Sequence, residues 1–573
     1  MEATLAIPVP LATVPAPSPP AGPCAVCPRI ASEFEGWRQA AYWRAQHERA
    51  VDREQRSEEH VKHLQAQIRL LKQKIFGKSS ETKTGAETAE QPEPAVAKRP
   101  RGQQRGQPSP AKRKHDQLPS VEEPHDLPEE QRRCSCCGLP FAEFPGTEDS
   151  EILEVDVKAH RRVIRRKRYR PSCSCPENKP IVTAPPAPRV IPKSKVGVSI
   201  WVLILMDKYL FQRPTYRLLE ALRLHDLDLS LGSITDGLKH LEPLFRPLYE
   251  ALVARSQQQT FWHADETRWH VFVTLEGKVG HRWYLWVFHG ADVVVFVLSP
   301  TRAHEVPEEH FGEDAEGILL VDRYSAYKAI QQVKNGAIVL AFCWAHVRRD
   351  FLRVEQGCPE HAEWTAAWVE RIALLYHLND ERLEALEPAV LPPPRLETKQ
   401  QALPPPRTEA EQQALPPPRT EAEQRLRDHV NAIVKQRDEE LTVPELPLAQ
   451  SKVLQSLKNH WQGLTVFVDH PEVPMDNNTA ERVQRGPVVG RKNYYGSGAE
   501  WSGRLAAMLF SLFQTLCLAN LNPHLWLTAY LNACAAAGGK APADADKYLP
   551  WNLSDEQKRA WSSDREPPAT DTS

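Results

Sequence analysis

The 573-residue chain has no apolar run long enough to cross a bilayer; its longest, such as IWVLILM at 200–206, fall far short of the ~20 residues a spanning helix needs. Its first twenty residues carry no Lys or Arg and are rich in proline, so the charged start and helical apolar core of a signal peptide are missing. Together these absences predict a cytoplasmic protein without a membrane partner. An excess of one charge is missing as well, the formal net charge being -2. That balance conceals long stretches holding only basic side chains. A nucleotide-binding loop is also lacking: FGKSS at 76–80 imitates the end of one, but the glycine required five positions before Gly77 is Lys72, within a helical pattern. ATP binding there is rejected.

One hydrophobic core cannot serve a chain of this length, so several modules are expected. Residues 1–30 read as a disordered N-terminus. Within 31–77, EEHVKHLQAQIRLLKQKIF sets Val61, Leu64, Ile68, Leu71 and Ile75 at alternating steps of three and four, the seam of a coiled-coil helix. This predicts a homo-oligomer, although a helix lying on the protein's own core would share the pattern. Residues 78–130 read as a basic disordered linker, poor in aromatics, in which KRPRGQQRGQPSPAKRKH carries seven Lys or Arg and no acid.

Eleven cysteines in a reducing compartment read as thiols or metal ligands rather than disulfides. In a module at 131–192, Cys134 and Cys137 of CSCCG and Cys173 and Cys175 of PSCSCP supply four thiolates for one structural Zn²⁺. Cys136 is a rival ligand, and a degenerate finger or free thiols are the alternatives. Between the two pairs runs KAHRRVIRRKRYRPS, without an acid, whose Arg161, Arg162, Arg165, Arg166, Lys167 and Arg168 are candidate DNA-phosphate contacts. Residues 193–257 read as helical. Within them, 214–241 reads as two short helices parted by a polar turn, with Ser230 or Ser233 capping the second: either a helix-turn-helix or ordinary packing.

A mixed sheet with helices is expected from 258 onward. FWHADETRWHVFV, HRWYLWVFHG and VVVFVLS alternate like three adjacent antiparallel strands, and GILLVD and AIVLAFCW add two buried ones. The first part of this core spans 258–350 and the second 461–532. Between them, 351–460 reads as a helical insertion, with helices at 360–386 and 421–460. The insertion carries a proline-rich repeat at 388–423, in which QQALPPPRTEAE occurs twice in succession, a polyproline II spacer. Residues 533–573 read as a C-terminal tail.

Asp265 lies in the first strand and Asp322 ends the fourth. Carboxylates there are costly to bury and point to a metal or an active site, although one Asp alone would read as a strand-end cap. Glu481, in VPMDNNTAERVQRG, falls one helical turn after Asn477, among the N-cap residues Asp476, Asn477 and Asn478. A capping role is its bland alternative. Cys343 and His346 in FCWAHVRRDF stand three apart, too few for a zinc site by themselves. Arg482, Arg485, Arg491 and Lys492 precede Tyr494 and Tyr495, a set suited to a frayed DNA end.

The words HADET, VDRYSAY, FCWAHVRRDF, PMDNNTAERVQRGPVVGRKNYYGSG and YLPWNL resemble the IS66 family of insertion-sequence transposases. The resemblance covers all but the first thirty or so residues and the proline repeat. It implies a multidomain protein whose α/β ribonuclease-H-like catalytic core has a helical insertion before the last acid. It implies too that Asp265, Asp322 and Glu481 are the catalytic acids of a DDE transposase. Such an enzyme uses two Mg²⁺ ions (with Mn²⁺ as a substitute) ~3.5–4 Å apart for phosphodiester cleavage and strand transfer. DNA, as element ends and target, is the implied partner, together with accessory proteins of the same element. An inert DNA-binding remnant or regulator, and a nuclease without a joining step, are the competing readings.

Overall fold

The computed structural model describes residues 158–170, 181–386 and 420–563, most of 39–69, and isolated positions between 128 and 140. Two compact units divide the chain, 78–160 and the remainder; the second unit holds the architecture below.

Five strands form one mixed sheet: β1 (Phe261–His270), β2 (Arg282–His289), β3 (Val294–Ser299), β4 (Gly317–Val321) and β5 (Ile338–Phe342), in the order β3-β2-β1-β4-β5. The three strands expected to be adjacent pair antiparallel, and β4 and β5 join parallel beyond β1. The composition explains this division. β4 and β5, GILLV and IVLAF, are buried at every residue, as parallel strands covered on both faces must be, whereas β1 varies along its length.

Each face of the sheet covers its own core. On one side, Trp269, Trp283, Leu285, Val287 and Phe296 pack with α1 (Val198–Tyr209), α2 (Thr215–Arg223), α3 (Leu231–Gln257), α9 (Glu500–Leu518) and α10 (Pro523–Ala536). The apolar stripe of α9, from Leu505 to Leu516, lies over β3 and α3. The helices at 214–241 are therefore integrated into the sheet's core. The second of them is much longer than expected: α3 runs 27 residues and starts from Ser230, whose hydroxyl accepts from the Ser233 amide at 3.2 Å. On the other side, Trp262, Trp286, Phe288 and Leu319 pack with α4 (Trp344–Gly357), α5 (Ala362–Ala385), α6 (Glu421–Leu441) and α7 (Leu448–Asn459). The insertion is bound to the sheet side by Arg382, which is 1% exposed and donates to the carbonyls of Phe467 and Val468 at 2.9 and 3.0 Å.

Three boundaries differ from expectation. The helical stretch at 421–460 divides into α6 and α7, because Pro444 and Pro447 cannot continue a helix. The last residues of the proline repeat belong to the fold: Thr420 caps α6, its hydroxyl accepting from the Glu423 amide at 3.1 Å, and Ala422 is buried. Residues 388–419 lie outside the described residues. The segment read as a tail also packs inward, with Ala545, Tyr548, Leu549 and Leu553 buried in the first core and the Tyr548 carbonyl accepting from the Trp526 indole at 2.7 Å. These residues lie in and beside two 3₁₀ turns, Ala545–Tyr548 and Pro550–Asn552, that pack against α10.

The N-terminal segment is helical over the described part of 39–69, with Val61, Leu64 and Ile68 exposed and Ala66 buried against Gly357. These three positions of the expected seam thus face away from the body, while Leu71 and Ile75 lie outside the described residues. Among the described residues no helix is long and apolar enough to cross a membrane.

Candidate active site

Strand alternation sends Trp262, Ala264 and Glu266 to one face of β1 and His263, Asp265 and Thr267 to the other. Asp265 sits mid-strand, opposite Val287, rather than at a strand end. Its Oδ1 accepts from the Glu266 amide at 2.9 Å. Asp322 follows the last residue of β4, where its Oδ1 accepts from the Tyr324 amide at 2.9 Å and turns the chain away from the sheet. Glu481 lies in the first turn of α8 (Asn478–Tyr494). Arg349, on α4, donates to its Oε1 at 2.7 Å, and His346 Nε2 lies 3.7 Å from the same oxygen.

The three acids converge. Burial holds the Asp265 carboxyl well above the usual carboxylate range, and the negative charges of Glu266, Glu481 and Asp322 push it the same way. Asp322 and Glu481, from two other segments, thus lie near enough to act on the buried Asp265, and a hard cation would relieve that repulsion. All-oxygen donors of this kind fit Mg²⁺.

The three motifs are joined at one residue. Asn477, 1% exposed, faces His263 Nδ1 through its Oδ1 at 3.0 Å and donates to the Ala264 carbonyl at 2.7 Å. Its backbone amide donates to Cys343 Sγ at 3.2 Å, and the neighbouring Trp344 amide donates to the Met475 carbonyl at 2.9 Å. The strand bearing Asp265, the β5–α4 junction and the start of the helix bearing Glu481 thus share one hydrogen-bonded knot. Asn477 occupies the cap position of α8, but its side chain is used against β1 and not for capping; Asp476 accepts from the Asn478 amide at 3.0 Å instead. Cys343 is a buried acceptor in this knot, its thiol pushed up by burial. His346 belongs to the Glu481 cluster; burial and Arg349 lower its pKa.

The far end of α8 is held by YYGSG. Gly496 has φ 130, and a Cβ there would stand 2.2 Å from the His270 carbonyl. That close approach lets the Ser497 amide donate to His270 at 2.8 Å and Ser497 accept the Phe272 amide at 2.9 Å.

Sequence reasoning missed Glu266, although HADET displays it. On the opposite face from Asp265, it accepts from Arg302 Nε at 2.8 Å and the Tyr327 hydroxyl at 2.7 Å, and Arg302 lies 3.7 Å over the Tyr324 ring. Two adjacent acids in a strand must diverge, and that was the available signal. Asn477, His263 and Arg349 were missed for another reason: nothing local in the chain announces their distant partners.

Of the candidate DNA contacts, Arg161, Arg162, Arg165, Arg166, Lys167 and Arg168 are exposed, and Arg168–Tyr169 pairs with Val182–Thr183 in a short antiparallel ladder. Arg166 is engaged by it, donating to the Ala184 carbonyl at 2.6 Å. Arg482, Arg485 and Lys492 are exposed on α8. Arg491 instead anchors α8, donating to Thr267 Oγ1 at 3.0 Å and to the Arg268 carbonyl. Tyr494 is likewise committed, bonded to Gln212 at 3.1 Å beneath Lys208, which leaves Tyr495, 71% exposed, as the free ring. Cys136 and Cys137 are exposed on a turn, while Cys134, Cys173 and Cys175 lie outside the described residues.

A sequence model described as "Transposase IS66 family" matches residues 193–505, more than half of the chain and all the residues of this cluster. Three uncharacterised proteins of Sinorhizobium fredii (strain NBRC 101917 / NGR234) are similar over most of their length. One, y4jD, is 27% identical over 447 residues, covering 75% of this chain and 79% of the relative. Another, y4hP, is 24% identical over 445 residues, with 74% of each covered.

Proposed function

We propose, since the chain belongs to the IS66 transposase family, that it is a DDE transposase cutting and rejoining DNA at the ends of an insertion sequence. The observation that carries this reading is that the charges of Glu481 and Asp322, from two other segments, reach Asp265, whose carboxyl burial already raises. The sheet order β3-β2-β1-β4-β5, antiparallel on one side of β1 and parallel on the other, supports a ribonuclease-H-like core. The position of α4 to α7 between β5 and α8 supports the helical insertion before the last acid.

Asp265, Asp322 and Glu481 would hold divalent cations, Mg²⁺ by the hardness of their oxygens. When bound, two such cations activate the attacking oxygen and stabilise the leaving one in an in-line displacement at phosphorus. The chain's own residues fix the acids. Asn477 and His263 hold α8 to β1, Arg349 and His346 orient Glu481, and Asp322 is fixed by the amide that follows it. The exposed arginines of 161–168 and of α8 supply positive charge for DNA phosphates. Outward-facing Val61, Leu64 and Ile68 give a second copy of the chain an apolar seam. A zinc-binding module built on Cys134, Cys137, Cys173 and Cys175 is part of the same proposal.

Supercoiled plasmid carrying the element's ends, incubated with protein and Mg²⁺, tests the reading. Joined products are expected. Nicks alone would make the protein a nuclease without strand transfer, and retained binding without any cleavage would make it an inert regulator.

A further inference from the structure

Between α4 and α5 the chain turns through a single 3₁₀ turn, Pro359–His361, entered from Cys358. In this geometry residues three apart eclipse one another. The His361 amide donates to the Cys358 carbonyl at 3.0 Å, closing the turn, so the side chains of Cys358 and His361 stand on one face. Glu360 joins them: one ligand atom from each of the three residues lies within 4.8 Å of the other two. Pro359 fixes the backbone at the first position of the turn, so little ordering remains when the three donors converge.

We propose that Cys358, Glu360 and His361 form a structural binding site for a borderline divalent transition-metal cation, Zn²⁺ foremost, at the elbow of the helical insertion. Tetrahedral bonds of about 2.0–2.3 Å place ligand atoms about 3.3–3.8 Å apart, so closing the site asks for side-chain rotations of an ångström or less per donor. Sulfur, imidazole nitrogen and carboxylate oxygen together suit zinc and disfavour Mg²⁺, which separates this site from the all-carboxylate cluster. Water or a small ligand would complete the fourth position.

The burial pattern fits a clip more than a catalyst. Cys358 is 7% exposed, Glu360 is exposed and His361 intermediate, so a cation would bridge a buried sulfur and two surface groups. Burial, and secondarily Glu360, hold the Cys358 thiol above its usual range; metal binding therefore exchanges a proton for the cation, Cys–SH + Zn²⁺ giving Cys–S–Zn⁺ + H⁺. Arg69 lies near the sulfur and donates to the Gly357 carbonyl at 2.9 Å, a positive neighbour that the Glu360 carboxylate offsets. The elbow ends α4, the helix whose Arg349 and His346 contact Glu481, and receives Ala66 and Arg69 of the N-terminal helix. A cation here would stiffen the point where that helix meets the body.

The test is metal content of the full chain after zinc loading and exhaustive dialysis, compared between wild type and the variants Cys358→Ser, Glu360→Gln and His361→Ala. One zinc fewer per chain is expected for Cys358→Ser and His361→Ala, and about tenfold weaker affinity for this zinc in Glu360→Gln, whose surface position leaves folding intact. Cobalt substitution of the wild type should show a thiolate-to-metal absorption that is reduced by one thiolate in Cys358→Ser. Equal zinc stoichiometry in all four proteins, or unaltered affinity in the Glu360 and His361 variants, would overturn the proposal. Neither readout depends on DNA cleavage.

Discussion

Asn477→Ala is the substitution whose consequences the geometry specifies most fully. The side chain is 1% exposed and satisfies two buried groups on β1: His263 Nδ1 at 3.0 Å and the Ala264 carbonyl at 2.7 Å. Alanine leaves both without a partner where water cannot replace it. Each buried polar group left unsatisfied costs about 1–3 kcal/mol, so a loss of about 2–6 kcal/mol is expected. The Cys343 contact is made by the backbone amide and survives, which keeps the substitution local. Under the proposed function a second effect follows from position. Glu481 begins one turn later, with its amide bonded to the Asn477 carbonyl at 3.2 Å, so a loosened Asn477 loosens the carboxylate. Supporting partners of metal ligands are worth about 10–100-fold in affinity or activity. Urea unfolding followed by tryptophan fluorescence reads the first effect, and the Mg²⁺ concentration giving half-maximal cleavage reads the second. Asn477→Asp, which sets a buried carboxylate oxygen against the Ala264 carbonyl, should destabilise at least as much as alanine. Stability within 0.5 kcal/mol of wild type together with an unaltered Mg²⁺ requirement would refute the assignment of Asn477 as the joint between strand and helix.

Other outcomes follow from the same contacts. Burial depresses His263 and His310 to about 3 and His289 to about 4, so each is neutral in the folded protein while its unfolded counterpart protonates near pH 6.5. Their stabilisation is complete above that value and is lost on acidification toward pH 4, by up to about 1.4 kcal/mol per pH unit per histidine. Thermal melts across pH 4–7 should show the fall, and His310→Gln should flatten it. Removing 388–419 and retaining Thr420 should leave folding and cleavage intact, whereas a deletion continued through Glu423 removes the cap and first turn of α6 and should cost about 1–2 kcal/mol or more by urea unfolding. Neutralising Arg161, Arg162 and Arg165 together should weaken DNA binding at all sequences and lower the salt slope by about 0.9 per lost phosphate contact, as measured by gel shift over a salt series.

Much of the sheet was legible because its strands carry strong local signals: alternation in FWHADETRWH and HRWYLWVFH, and unbroken apolar character in GILLV and IVLAF. Asp265, Asp322 and Glu481 were picked out as candidates by the words around them. What joins them was not. Asn477 reads locally as a helix cap, and only the folded chain, which brings it to β1, reveals the use of its amide. Arg491 and Tyr494 read as part of a DNA-facing set, yet their partners, Thr267, Arg268 and Gln212, come from distant segments that hold them against the body. The closing segment looked like a tail because it folds as short 3₁₀ turns, too brief to leave a helical or strand period, although Ala545, Tyr548, Leu549 and Leu553 are buried.

The most direct test of the account is Mg²⁺-dependent cleavage by Asp265→Asn, Asp322→Asn and Glu481→Gln, each assayed with a gel shift on the same DNA. The amides keep size and shape and remove the charge that would hold the cations, so cleavage should fall by orders of magnitude. Binding through the exposed arginines should persist. Cleavage and joining at near wild-type rates in any one of the three would contradict the claim that these carboxylates form the catalytic site.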